Sequence, residues 1–340
     1  MRTAPVSRRA FLGGLAASLV AVAVARPARA AGASAPPRIR AITSDERGTT
    51  LTLDLDHAPF PAAGASYQDR TVFAFVPRHH RAPRDGRISM VVHFHGHNTT
   101  AERAMAAHEL REQLFDSKQN AILLVPQGPV MAQDSSCGKL EAEGGLARML
   151  EDALAALASP EATKALGAAG VSVASSSSRT RAGTVCLSAH SGGYHAAAAC
   201  ARAGGIEVNE IYLFDALYAN TEMFKDWVVA GKGRGMRHRH KLVSYYGAGA
   251  STEAESQRLL ADLERAGVQC AYEKVEGTLS REELTESEAV FVRTALAHNG
   301  VTHELNALRD CLYASGLTRR LRSAWFDQKH GARPLERRRP

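Results

Sequence analysis

The sequence predicts an α/β fold, in which a predominantly parallel sheet carries helices on both faces as a three-layer sandwich. Short apolar, β-branched runs alternate with segments of helical periodicity, and Gly and Pro separate many of them. A crossover between parallel strands lays a helix over the sheet, so this alternation favours a sheet that is buried on both sides. With 340 residues, of which 45% are apolar and 23% charged, the chain has ample material for a large core.

The expected elements follow from these periodicities, taken in chain order. The β-rich segments are 51–55, 71–76, 88–94, 121–125, 184–188, 210–214, 241–246 and 270–275. The helical segments are 101–115, 145–157, an alanine-rich helix after Ser191, and 253–266. Neither an internal repeat nor a linker interrupts this pattern, so we expect one domain over residues 38–328.

The two ends of the chain differ from the expected domain. Basic residues precede an uncharged run from Ala10 to Ala25, and Ala28-Arg29-Ala30 follows, which is the three-part layout of a cleavable signal over residues 1–30. The segment 7–13, Ser-Arg-Arg-Ala-Phe-Leu-Gly, resembles a twin-arginine export signal, which implies passage through that export machinery to the periplasm or the exterior. The Arg-rich segment 331–340 is expected to be a disordered tail.

Charge and cysteine content exclude several classes of protein. Five of the seven net positive charges come from arginines in the first 30 residues, and aromatic residues make up only 6% of the chain, so nucleic-acid binding is not expected. Five scattered cysteines do not make a disulfide framework, and their pairing stays open. No segment after the signal reaches eighteen apolar residues, so no transmembrane segment is expected in the mature protein.

The strongest chemical signal lies at residues 185–193, Val-Cys-Leu-Ser-Ala-His-Ser-Gly-Gly. A β-run delivers Ser191 into a helix, with Ala189 and Gly193 two positions to either side. A sharp strand-to-helix turn needs such small neighbours, because the serine takes a strained backbone conformation. The turn also brings the serine oxygen to a helix N-terminus, where partial positive charge stabilises an anion.

This segment resembles the nucleophile elbow of the α/β-hydrolase superfamily, with alanine in place of the commoner first glycine. About a hundred residues upstream, Phe94-His95-Gly96-His97-Asn98 is similar to the His-Gly segment after that family's third strand. The resemblance implies an oxyanion hole made of the backbone amides of His97 and Gly192. It also implies an esterase-like serine hydrolase, with a peptidase as a further possibility.

The same resemblance assigns the other two catalytic residues. Asp215 directly follows the strand 210–214 and matches the acid in those relatives that carry it one strand early, and Asp226 is held in reserve. The base is expected after the last strand, where both His298 and His303 lie. His303 is preferred because it directly precedes an apolar helical run, and His298 stays open. Ser191, Asp215 and His303 would then cleave a small or polymeric carboxylic ester through an acyl-enzyme, without a cofactor or a metal.

Two alternatives remain at this point. His93, His95 and His97 would face one way on a strand and could bind a metal, which would make the protein a metal-dependent hydrolase. Alternatively, the chain is a non-catalytic periplasmic binding protein that keeps the fold without a working triad.

Overall fold

The computed structural model describes residues 37–173 and 180–321. The predicted signal at 1–30 and the tail at 331–340 lie outside these residues. Among the described helices, none is long and apolar enough to cross a membrane. The five cysteines all lie in these residues, and none of them forms a disulfide bond.

Within the described residues, ten strands form one mixed sheet in the order β1-β2-β3-β5-β4-β6-β7-β8-β10-β9. The first three strands and β5 pair antiparallel, and every pair from β5 through to β9 is parallel. The strands are β1 (Arg38–Ser44), β2 (Gly48–Asp54), β3 (Thr71–Pro77), β4 (Arg87–Phe94), β5 (Ala121–Pro126), β6 (Arg181–His190), β7 (Glu210–Phe214), β8 (Lys241–Gly247), β9 (Cys270–Glu273) and β10 (Ala289–Thr294).

Nine α-helices are described, and they cover both faces of this sheet. They are α1 (Ala101–Ala107), α2 (Leu110–Ser117), α3 (Gly145–Leu157), α4 (Pro160–Ala168), α5 (Tyr194–Ala203), α6 (Thr221–Gly231), α7 (Ser251–Arg265), α8 (Arg281–Glu286) and α9 (Ala307–Tyr313). One core cluster joins the sheet to α3 through α7, and a second cluster joins its other face to α1, α2, α8 and α9. The predicted α/β fold with a mostly parallel, doubly covered sheet is therefore confirmed.

The side chains of β4 show how the sequence creates the two cores. Met90, Val92 and Phe94 pack into the cluster with α3 and α5, whereas Val91 between them packs into the other cluster. A strand alternates its side chains between opposite faces, so a continuous apolar run supplies both cores at once.

Two differences from the sequence expectation affect the site. The helix expected over 101–115 is divided, because Glu109 adopts a left-handed backbone conformation with a φ of 48° between α1 and α2. The strand β10 (Ala289–Thr294) was not expected at all, and it inserts between β8 and β9. The last strand of the chain is thus β10 and not the segment 270–275.

Candidate active site

The candidate catalytic residues lie where parallel strands end. Ser191 directly follows β6, Asp215 directly follows β7, and His298 comes four residues after the end of β10. Carboxyl ends of parallel strands share one edge of a sheet, and ligands of open α/β sheets bind at that edge. The topology therefore gathers three chemically distinct side chains from distant parts of the sequence.

Ser191 has the backbone conformation that the sequence predicts for it. Its φ is 52°, in the left-handed region, and the chain turns there from β6 through a short 3-10 helix into α5. A residue with a side chain rarely adopts this conformation unless its surroundings enforce it. Here the packing is tight: a Cβ atom on Gly193 would lie 2.4 Å from the carbonyl oxygen of Phe94, and one on Gly96 would lie 2.8 Å from the Cβ of Ser191.

Asp215 is buried and is held from three sides. Its own φ is 45°, and its backbone N–H donates to the carbonyl of Tyr245 at 2.8 Å. Thr252 donates its hydroxyl to one carboxylate oxygen, and His298 donates Nδ1–H to the other at 2.5 Å. Burial alone would raise the pKa of Asp215, but the hydrogen bonds from His298 and Thr252 outweigh it, so the pKa of this carboxyl lies below its usual range. Asp215 is therefore an anion at neutral pH.

His298 faces both the acid and the elbow. With Nδ1 donating to Asp215, the imidazole presents Nε2 as its proton-accepting nitrogen. The loop that carries it is bound to His190, the residue before Ser191: Nε2–H of His190 donates to the carbonyl of His298 at 3.0 Å, and the two rings lie 4.6 Å apart. The His298 side chain stays 39% exposed, which leaves it accessible to a substrate and to water.

His303, the base preferred from the sequence, is placed differently. Asp215 bonds His298 and not His303, whose buried Nδ1 has no hydrogen-bond partner among the described residues. The reason is the position of β10. This strand ends at Thr294, so His298 lies close to the sheet edge, whereas His303 comes five residues later, beyond that edge. The reserve acid Asp226 is an exposed residue of α6.

His303 instead ends a row of imidazoles behind the site. The ring centroid of His108 lies 4.5 Å from that of His190, 5.6 Å from that of His93 and 6.2 Å from that of His303. The ring of His190 in turn packs against that of His298. Burial lowers the pKa of His190 to about 4 and the pKa of His93 and His108 well below the usual value. These three rings are therefore neutral at pH 7, which lets His190 act as a fixed donor toward the loop of His298.

The two amides expected in the oxyanion hole belong to segments that touch. A Cβ on Gly192 would lie 2.4 Å from the ring of His97, so the loop after β4 packs directly on the elbow. The exposed His97 ring bonds the hydroxyl of Ser135 through Nε2 at 2.8 Å. A cavity of about 30 Å³ adjoins Gly192 and Gly193, and Phe94 and Leu140 are among the residues that line it.

The three histidines of the metal alternative do not converge. His93 is buried, and its Nδ1 shares a hydrogen bond with a serine of the neighbouring strand. His95 donates Nδ1–H to the carbonyl of the next residue, while its Nε2 accepts the N–H of Gly128 at 2.9 Å. His97 is the exposed ring described above. Within residues 37–173 and 180–321, these three do not form a group with three ligand atoms close together.

Sequence reasoning did not find Tyr218, which is a further residue at the site. The Ser191 side chain lies beside the Tyr218 hydroxyl, and the Tyr218 ring lies 6.0 Å from the ring of Tyr194. Tyr218 is 40% exposed, so it stands at the open side of the elbow. Burial and the neighbouring Asp215 raise the pKa of its hydroxyl, which therefore stays protonated at neutral pH. The one feature of the sequence that could have indicated Tyr218 is its position three residues after Asp215.

Comparison with known proteins gives distant structural similarities. No family model matches the chain, and no curated protein matches it. A ferulic acid esterase superposes with a TM-score of 0.44 at 11% identity, covering 82% of this chain and 96% of that one. An S-formylglutathione hydrolase from Agrobacterium tumefaciens gives a TM-score of 0.40 at 11% identity, over 80% and 95% of the chains. FphF, a fluorophosphonate-binding serine hydrolase of Staphylococcus aureus, gives 0.41 at 9%, over 82% and 98%.

Proposed function

We propose that this protein is a serine hydrolase that cleaves a carboxylic ester through an acyl-enzyme on Ser191. The observation that carries the proposal is the hydrogen bond of 2.5 Å from His298 Nδ1 to Asp215, beside a serine held at a left-handed turn. An imidazole oriented by a buried carboxylate can remove the proton of a serine hydroxyl. Ser191, Asp215 and His298 thus form the proposed triad, in which His298 takes the place of His303.

The reaction would proceed in two halves. His298 Nε2 accepts the proton of Ser191 as Oγ attacks the ester carbonyl carbon, and Asp215 stabilises the imidazolium. The amides of His97 and Gly192 hold the oxyanion. The ester bond then breaks, and the imidazolium gives its proton to the departing alcohol. In the second half, His298 takes a proton from water, the resulting hydroxide attacks the acyl carbon, and the acid leaves as Ser191 regains its proton.

Two neighbours of the elbow refine this proposal. Tyr218 stands beside Ser191, and we expect its hydroxyl to bond that of the serine in the resting enzyme. The cavity beside Gly192 and Gly193 has a volume of about 30 Å³, which is roughly the space of one or two water molecules. Since it adjoins the proposed oxyanion hole, we expect it to accept a short acyl group such as acetyl.

The export signal belongs to the proposal as well. The twin arginines Arg8 and Arg9, followed by an apolar run, support export of the folded precursor to the periplasm or the exterior. In a host with the twin-arginine pathway, the Arg8→Lys/Arg9→Lys precursor is expected to stay in the cytoplasm uncleaved. Export of that double variant would contradict this assignment.

A fluorophosphonate probe tests the proposed chemistry. The full chain should form a single covalent adduct, and peptide mapping should place it on Ser191, whereas Ser191→Ala should neither react nor turn over p-nitrophenyl acetate. The acetate ester should be hydrolysed faster than the octanoate. A well-folded protein that does not react with the probe would instead support the non-catalytic alternative, and retained turnover in Ser191→Ala would overturn the proposal.

A further inference from the structure

A second group of reactive side chains lies outside the triad, where a 3-10 helix (Gly138–Glu141) packs on α5. Cys137 directly precedes this 3-10 helix, Glu141 ends it, and His195 is the second residue of α5. One ligand atom from each of these three residues lies within 4.8 Å of the other two. Within the part of the chain that the structure describes, this is the only group of three or more such residues.

The distances match what a tetrahedral metal ion requires. Glu141 Oε1 lies 3.6 Å from Cys137 Sγ and 3.6 Å from His195 Nε2. Ligands held by one zinc ion at about 2.0–2.3 Å with tetrahedral angles are themselves roughly 3.3–3.7 Å apart. Two of the three separations are thus already suitable, and the third, between sulfur and nitrogen, needs at most a small adjustment of the partly exposed His195 ring.

The ligand types select the metal. A thiolate with an imidazole is a set that zinc prefers, while calcium and magnesium prefer oxygen ligands alone. Thiolate and carboxylate together carry two negative charges, which balance a divalent cation. The Cys137 side chain is buried, whereas those of Glu141 and His195 remain 46% and 40% exposed, so an ion could enter from solvent.

Cys137 donates two hydrogen bonds to Glu141: the one from its thiol would be lost as the thiol releases its proton to solvent and binds the ion, and the one from its backbone would persist. The backbone N–H of Cys137 donates to Oε1 of Glu141 at 3.1 Å, which orients the carboxylate toward the sulfur. An oxygen that accepts this hydrogen bond can still bind a metal through its other lone pair. Such hydrogen bonds to a ligating carboxylate are a usual part of metal sites because they fix the ligand's orientation.

We propose that Cys137, Glu141 and His195 bind one Zn²⁺ ion, with water completing the tetrahedron. The site is structural: the ion would tie the cavity wall, to which Cys137 and Leu140 belong, to the helix that begins at the nucleophile elbow. His195 stands four residues after Ser191 on that helix. The proposal does not depend on the esterase chemistry, because no step of the reaction passes through the ion.

The test uses the full chain without an affinity tag, stripped of metal by a chelator. After addition of Zn²⁺ and gel filtration, elemental analysis should find one zinc per chain, and saturating zinc should raise the Tm by several degrees. Co²⁺ should give the ultraviolet thiolate-to-cobalt absorption band and the intense visible bands of a tetrahedral site. The same results are expected for Ser191→Ala, so a failure of the metal site is separable from a failure of the catalytic proposal.

Two variants and a matched control decide the site. Cys137→Ser should abolish the thiolate band, and His195→Ala, which changes a partly exposed side chain and should fold, should weaken zinc binding at least tenfold. His57→Ala serves as control, because His57 also pairs with a carboxylate, Asp152 at 3.0 Å, and is similarly exposed. It should retain full zinc binding. Absence of the cobalt band in the wild type, or unchanged zinc affinity in His195→Ala, would overturn the proposal.

Discussion

Single side chains decide which histidine we propose as the base. Both His298 and His303 follow the sheet in sequence, but only His298 donates to Asp215. The carboxylate is anionic because its hydrogen bonds outweigh the cost of burial. His190 adds a second restraint, since its neutral ring donates to the carbonyl of His298. His298, the proposed base, is therefore fixed through both its ring and its backbone.

Tyr218 gives the residue-scale prediction. Tyr218→Phe removes the hydroxyl beside Ser191, and a hydrogen bond formed there would contribute about 1 kcal/mol, so kcat should fall roughly fivefold to tenfold while KM stays unchanged. Steady-state kinetics with p-nitrophenyl acetate measure both constants. Tyr194→Phe is the control, because its ring contacts that of Tyr218, and it should leave kcat intact. An unaltered kcat in Tyr218→Phe would contradict the assigned role.

Strand β10 explains why the sequence predicted Ser191 and Asp215 at the sheet edge but favoured His303 over His298, the histidine that bonds Asp215. The elbow and Asp215 follow strands whose apolar runs are unmistakable, so their places at the sheet edge could be predicted. Residues 289–294, Ala-Val-Phe-Val-Arg-Thr, are also a β-branched and aromatic run, but they follow the charged helix α8 and were not assigned as a strand. With that strand recognised, His298 would have been the first histidine beyond the last strand. Recognising this strand would not have indicated Tyr218, because the proximity of Tyr218 to Ser191 depends on the path of the loop between β7 and α6.

The contact between the elbow and β4 gives the prediction at the scale of elements. A Cβ on Gly193 would lie 2.4 Å from the backbone oxygen of Phe94, so Gly193→Ala must push the start of α5 away from β4. We expect a loss of about 2 kcal/mol or more in the free energy of unfolding, together with a large loss of kcat. Urea unfolding provides the measurement.

Gly167→Ala is the matched control for that experiment. Gly167 lies in α4, and nothing stands within 4 Å of a Cβ placed there. Because alanine favours a helix more than glycine does, this variant should gain about 0.5–1 kcal/mol. Equal stability changes in the two variants would show that the elbow is not tightly packed.

The molecule as a whole buries several neutral histidines. Burial lowers the pKa of His190 and also that of His80 to about 4. In the unfolded chain these imidazoles take up a proton near pH 6.5, so between about pH 6.5 and 4 the unfolded state binds more protons. The free energy of unfolding should therefore fall as the pH is lowered through that window, by about 3 kcal/mol per group at pH 4.

The pH dependence can be checked with one variant away from the active site. Among the described residues, His80 has no hydrogen bond with a member of the proposed triad, and its Nδ1–H donates to the carbonyl of Ser172. Urea unfolding of the wild type and of His80→Asn at pH 7 and pH 4.5 should show a smaller loss of stability for the variant. If both lose the same free energy, His80 does not contribute to the acid sensitivity.

The most direct test of the account compares two histidines. We expect His298→Ala to lose at least about 10³-fold in kcat/KM for p-nitrophenyl acetate, and to react correspondingly slowly with a fluorophosphonate at Ser191. His303→Ala should stay close to the wild type in both rates. The reverse outcome, an active His298→Ala and an inactive His303→Ala, would contradict the proposed triad of Ser191, Asp215 and His298.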